Sequence, residues 1–248
     1  MTKAKSKTGI PSTEHLVSET IERIKKDKPE SLDAANVEKN FSDVTEMVFY
    51  STYDTYKKYE SDAFRKSREK VLESSSKQSF TRGDVEKMLK ENSETAITME
   101  KSMSQSRKTR AGITFEVITK LLFQTLDIHC EKITTADKAK GLKLIDIVVP
   151  DRETARSKPD KATFLSLKTT LKDRWKLTQV DQMQGQRTYL VTILQRDKNG
   201  RNENIATSKV EEINRGGVII YLPDYVKKEK FSDIDGVRKL SELPDDLR

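Results

Sequence analysis

Within Leu144-Ile145-Asp146-Ile147-Val148-Val149 an aspartate is embedded in an apolar, strand-like run. A carboxylate buried without a partner is costly, so Asp146 needs a compensating charge. A metal ion would supply it, and so would a neighbouring Lys or Arg at a strand edge. A second segment, Phe164-Leu165-Ser166-Leu167-Lys168, ends in a lysine 22 positions after Asp146. Strand alternation puts Phe164, Ser166 and Lys168 on one face and Leu165 and Leu167 on the other. If the two strands are neighbours, carboxylate and ammonium converge. Such a lysine can polarise a water or stabilise charge on a phosphate oxygen; a strand-end lysine reaching solvent is the plainer alternative.

Three further groups have chemical potential. Lys172-Asp173-Arg174 follow Lys168 at the start of an expected helix. They fit a solvated cap, and they also fit a base reader, since Arg suits guanine O6 and N7 and a carboxylate accepts from cytosine N4. Asp181 lies 13 positions after Lys168. If a helix runs from Arg174 to Gln186, Asp181 sits two turns beyond Arg174 on the same face and can look back toward Lys168, or it is an ordinary exposed acid. Glu116 sits in an apolar helical stretch, where an i,i+4 pair with Lys120 would also account for it.

The elements that must position these groups fall into two halves. Residues 12–100 read as a helical region. Ser12 or Thr13 caps a helix carrying Val17, Ile21 and Ile24, and Pro29 breaks it. A second helical segment runs from Leu32 to about Glu73, with Val37, Phe41, Val44, Val48, Tyr53 and Tyr56 at helical spacing. Ser74-Ser75-Ser76 reads as a linker, and Thr81 to Asn92 as a short helix with Asp84 in its first turn. Helical core packing explains Phe49, Tyr50, Tyr53 and Tyr56.

Residues 101–248 change character. A helix over 113–126 follows Gly112, and strands are expected at Leu142–Val149, Thr163–Lys168, Thr188–Leu194 and Gly217–Leu222. The first two can pair antiparallel. A helix over Trp175–Gln186 makes the second and third a parallel crossover. The expected class is α/β, a mixed sheet flanked by helices.

Composition narrows the function. Formal net charge is +7 and pI about 9.2, which suits a polyanionic partner. Residues 1–11 read as a disordered basic tail. One cysteine, Cys130, and two histidines, His15 and His129, exclude a disulfide framework and a Cys-based zinc site within one chain. A metal would have to be held by carboxylates, which suits Mg²⁺. A reducing cytoplasm is the simplest compartment. No apolar run nears the roughly 20 residues of a membrane span.

Together these residues resemble the PD-(D/E)xK nuclease superfamily, and within it the restriction endonucleases of the CCGG- and CCNGG-cutting branch, the EcoRII-like and PspGI-like enzymes. Most of the superfamily places its second acid two residues before the lysine, where this chain has Ser166. In this branch that acid comes from the following helix, about 13 residues after the lysine, and Asp181 fills the place of the usual Glu. The literal Pro150-Asp151 pair lies beyond the strand, in an expected loop, and fits the branch less well than Asp146.

The resemblance covers roughly residues 105–222. It implies a restriction-endonuclease-like fold with Asp146 and Asp181 binding Mg²⁺. Lys168 would be the catalytic lysine, with Glu116 supporting the site. Lys172, Asp173 and Arg174 would read bases, and Gln105 would face the minor groove. It further implies double-stranded DNA as substrate, a palindromic CC…GG site (CCGG, CCNGG, CCWGG or WCCGGW), a homodimer or higher assembly, and a cognate DNA methyltransferase. The helical region would serve dimer or DNA contacts. Three other classes stay open: a structure-specific repair or recombination nuclease of the same fold, a non-catalytic DNA-binding regulator, and a plain interaction domain. The Lys-Asp-Arg run discriminates against the first, and the Asp146, Lys168 and Asp181 spacings against the others.

Overall fold

A computed structural model describes residues 10–74, 81–139, 142, 144–170, 187–193 and 206–248. The first helix, α1 (Thr13–Asp27), is capped by Ser12, whose hydroxyl accepts from the His15 N–H. It ends ahead of a 3₁₀ turn at Pro29–Leu32, as a proline requires. The expected segment from Leu32 to Glu73 is two helices, α2 (Ala34–Lys39) and α3 (Phe41–Ser74). Asp33 caps α2 by accepting from Asn36 N–H.

The expected short helix at Thr81 and the apolar helix after Gly112 are a single element, α4 (Arg82–Thr125). A capping box between Thr81 and Asp84 starts it. No proline interrupts its sequence, and Gly112 lowers helix propensity without stopping the helix. The helix closes on Asp127, whose φ of 56° lets Ile128 N–H reach back to Phe123 O at 2.9 Å.

The described strands form one six-stranded sheet in chain order. These are β1 (Glu131–Lys132), β2 (Ile147–Val149), β3 (Thr163–Lys168), β4 (Arg187–Thr192), β5 (Ile219–Leu222) and β6 (Val237–Lys239). β1, β2 and β3 pair antiparallel; β3 to β6 pair parallel. Short helices α5 (Thr135–Ala139) and α6 (Arg152–Ser157) flank β2, α7 (Thr207–Arg215) joins β4 to β5, and α8 (Asp224–Lys230) joins β5 to β6. A last turn of helix, α9 (Leu243–Leu247), closes the chain. The expected strand from Leu142 is shorter than its apolar content suggested, because the chain turns at Leu144 and enters the ladder only near Asp146. The helix expected over Trp175–Gln186 lies outside the described residues.

Alternation along the strands sorts the core into two layers. Ile147, Val149, Leu165, Leu167, Tyr189, Val191 and Tyr221 pack with α1, α3 and α4, where Phe41, Phe115 and Phe123 are fully buried. On the opposite face, Val148 and Phe164 pack against Ala155 of α6, while Leu190, Ile220 and Leu222 pack under α7 and α8. This is the mixed, helix-flanked sheet that the sequence implies.

Among the helices, Ile10 is buried with Leu16, Tyr56 and Met103, and Arg110 donates to Pro11 O at 2.8 Å, so the chain is anchored from residue 10 onward. Residues 1–9, the rest of the expected disordered tail, lie outside the described residues. Phe49 and Tyr56 are buried in the helical core. α3 and α4 are bolted together by Arg107, which donates to both Glu60 oxygens at 2.8 and 2.9 Å. Tyr56 donates to Glu60 at 2.7 Å, and burial with this carboxylate acceptor pushes the phenol up to about 12. Because the Glu60 side chain is only 9% exposed, Arg107→Met should leave its carboxylate dependent on Tyr56 and cost about 2 kcal/mol. Tyr56→Phe should cost about 1 kcal/mol. Urea unfolding of both variants measures this, and equal stabilities would remove Glu60 as the joint between these helices.

Candidate active site

Asp146 sits at the mouth of β2, on the face of the sheet opposite α4. Its N–H donates to Leu165 O at 2.9 Å and its carbonyl accepts from Ile133 N–H at 3.0 Å, so its backbone is held from both sides. Before it the chain leaves the ladder, and the side chain takes over: Oδ2 accepts the Leu167 N–H at 2.8 Å. Ser166, two residues before Lys168, donates to Leu144 O at 2.8 Å.

Lys168 ends β3 on the same face. Its Nζ donates to Asp146 Oδ2 at 2.8 Å and to Leu167 O at 3.1 Å. Both side chains are almost sealed, 11% exposed for Lys168 and 9% for Asp146. The convergence expected from strand pairing is therefore present, and the Asp146 carboxylate has a lysine as its compensating charge.

That oxygen, Oδ1, faces a residue that the sequence did not flag. Lys138 Nζ on α5 lies 3.7 Å from it, beyond hydrogen-bond length. The position of Lys138 follows from the anchoring of α5. Asp137 is buried, accepts from Thr134 N–H and Oγ1, and pairs with Arg156. Arg152 lies 3.8 Å from it and donates to Glu131 at 2.7 Å, tying α5, α6 and β1 together. The Arg156 guanidinium and the Thr134 donors hold the Asp137 carboxyl well below the usual carboxylate range.

Asp151, the literal Pro-Asp candidate, does not lie in a plain loop. It caps α6, accepting from Thr154 N–H at 2.7 Å, which lowers its pKa. Glu116 pairs with Lys132 of β1 at 2.6 Å rather than with Lys120, because the edge strand lies across the α4 face. It therefore belongs to the opposite side of the sheet from Asp146. Gln105 is exposed on α4. Asp181, Lys172, Asp173 and Arg174 lie outside the described residues.

Among the described residues no three acids, histidines or cysteines gather into a metal cluster. The donor chemistry of Asp146 nevertheless suits a hard divalent cation. Oδ2 is occupied by two hydrogen bonds, and Oδ1 accepts none from the described residues. It is the oxygen that can bind a cation.

The sequence matches the family model described as EcoRII C terminal over residues 64–240. The chain belongs to the EcoRII C-terminal family. Two solved structures share the fold of this EcoRII-type chain. Metal-depleted Ecl18kI in complex with uncleaved, modified DNA superposes with a TM-score of 0.77 at 18% identity, covering 95% of this chain and 77% of that one. The PspGI restriction endonuclease–substrate DNA complex gives 0.65 at 17% identity, covering 100% and 96%. Among curated proteins none matches by sequence. No described helix of this family member is long and apolar enough to cross a membrane.

The Asp137 anchor has a pH signature. Its folded pKa is depressed, so its contribution is complete above the unfolded value of about 3.9 and fades as pH falls below it. Asp137→Asn should be less stable than wild type at pH 7, with the gap closing below about pH 4. A gap independent of pH, in paired denaturation series, would refute the assignment.

Proposed function

We propose that the chain is a Mg²⁺-dependent Type II restriction endonuclease that hydrolyses double-stranded DNA at a palindromic site containing CC…GG. The observation that carries this reading is the buried Asp146–Lys168 pair at 2.8 Å, formed by adjacent strands in a chain of the EcoRII C-terminal family. Ecl18kI and PspGI, which share the fold, have been captured with DNA, and PspGI is a restriction endonuclease.

In this reading Asp146 and Asp181 hold the cation. Bound there, Mg²⁺ would supply charge neutralisation on the scissile phosphate. Lys168, anchored by Asp146 and Leu167 O, orients the attacking water and donates to the phosphate oxygen that gains charge. Water oxygen bonds to phosphorus and gives up a proton to solvent, the bond to the 3′-oxygen breaks, and that oxygen takes up a proton from solvent, leaving a 5′-phosphate and a 3′-hydroxyl. Asp146 fixes the Lys168 ammonium in place through this change. Glu116, paired with Lys132 on the α4 side of the sheet, would support the site only indirectly, through β1.

Lys172, Asp173 and Arg174 follow Lys168 directly in sequence, so base reading and chemistry would share one anchor. Gln105 would face the minor groove. A homodimer brings two such sets to the two half-sites, with residues 101–248 carrying the chemistry and residues 12–100 serving dimer or DNA contacts. A cognate methyltransferase would protect host DNA, and the reaction belongs in the cytoplasm.

Plasmid digestion tests this directly. Discrete fragments with CC…GG at their ends should form with Mg²⁺, vanish with EDTA, and vanish in Lys168→Ala while DNA binding persists. Intact DNA with retained binding in the wild type would favour the regulator, and structure-dependent nicking the repair nuclease. Arg174→Ala should lose about 1–3 kcal/mol of discrimination at one guanine, read from cleavage rates on singly substituted sites. Unchanged specificity would remove Arg174 from the recognition set.

A further inference from the structure

The two oxygens of Asp146 are unequal, and the difference gives Lys138 a task. Oδ2 is committed to Leu167 N–H and Lys168 Nζ, both at 2.8 Å. Oδ1 is the oxygen left for a cation, and the Lys138 ammonium already stands 3.7 Å away. One carboxylate thus faces two ammonium groups, and its immediate surroundings are positive before any metal arrives. An approaching divalent cation meets repulsion from Lys138 and must compete with it for the same oxygen.

Lys138 is also suited to yielding. Its side chain is 39% exposed, against 11% for Lys168, so it can swing into water. Its backbone cannot follow, because Asp137, the preceding residue, is buried and pinned to Arg156 and Thr134. The ammonium therefore returns to Oδ1 whenever the cation leaves. We infer that Lys138 is a positioning residue whose ammonium competes with the metal cation for Asp146 Oδ1 and so sets the cation affinity of the free protein. This rests on the reading of Asp146 as the cation ligand.

The test is Mn²⁺ binding to the full-length, DNA-free protein, followed by electron paramagnetic resonance. Lys138→Met removes the charge at nearly constant length and should tighten Mn²⁺ binding on the order of tenfold. Lys138→Arg keeps the charge and should keep the wild-type affinity. Thermal melting checks that both variants are folded, which the exposure of the side chain favours. Unchanged or weakened binding in folded Lys138→Met overturns the inference, as does undetectable binding in both that variant and the wild type. Asp146→Ala separates the two levels. If it abolishes binding while Lys138→Met changes nothing, only the role of Lys138 fails; if it leaves binding intact, the reading of Asp146 as the cation ligand fails with it.

Discussion

A strand that leaves its ladder early must pair the main-chain donors it abandons, because buried N–H groups left unpaired are costly. Here β2 gives way before β3 does, and the Asp146 carboxylate fills the gap by accepting from Leu167 N–H. The same oxygen then holds Lys168, the last residue of β3. One side chain thus completes the sheet, fixes the lysine and leaves its other oxygen facing Lys138. The geometry of the site follows from that substitution of a carboxylate for a backbone carbonyl.

The two faces of the sheet divide the work. The α4 face is packed almost wholly by apolar side chains and aromatic rings, and gives the strands a rigid support. On the other face the apolar cluster around Val148 and Phe164 gives way to charges at the mouth of β2 and the end of β3. There the short elements α5 and α6 have little core of their own. The ionic network of Asp137, Arg152, Arg156 and Glu131 holds them in place of core packing.

α4 links the two halves into which the sequence divides. Its first turns carry the exposed apolar residues Val85 and Leu89, with Ile97 further along. Its middle is joined to α3 through Arg107 and Glu60. Its last turns, with Phe115, Ile118 and Phe123, lie under the sheet. The helical region and the strands therefore share one continuous helix.

Local pattern carried much of this protein. Alternation identified Thr163–Lys168 as a strand with Ser166 and Lys168 on one face, and cap chemistry offered Ser12 or Thr13 for the first helix, of which the fold uses Ser12. An aspartate in an apolar run marked Asp146 as needing a cation, because the cost of a buried charge is legible wherever hydrophobicity is. Other features depended on contacts distant in sequence. The pairing of Glu116 with Lys132 depends on how β1 crosses α4, and spacing alone offered only Lys120. Fusion of two expected helices into α4 is by contrast local: residues 93–112 between them hold no proline, and their one glycine, Gly112, lowers helix propensity without ending the helix. The approach of Lys138 to Asp146 depends on buried Asp137 anchoring α5, and nothing in its neighbouring residues marks Lys138. Periodicity records which face of an element is buried; only the folded chain decides which charges from separate elements meet there, since that is fixed by long-range packing.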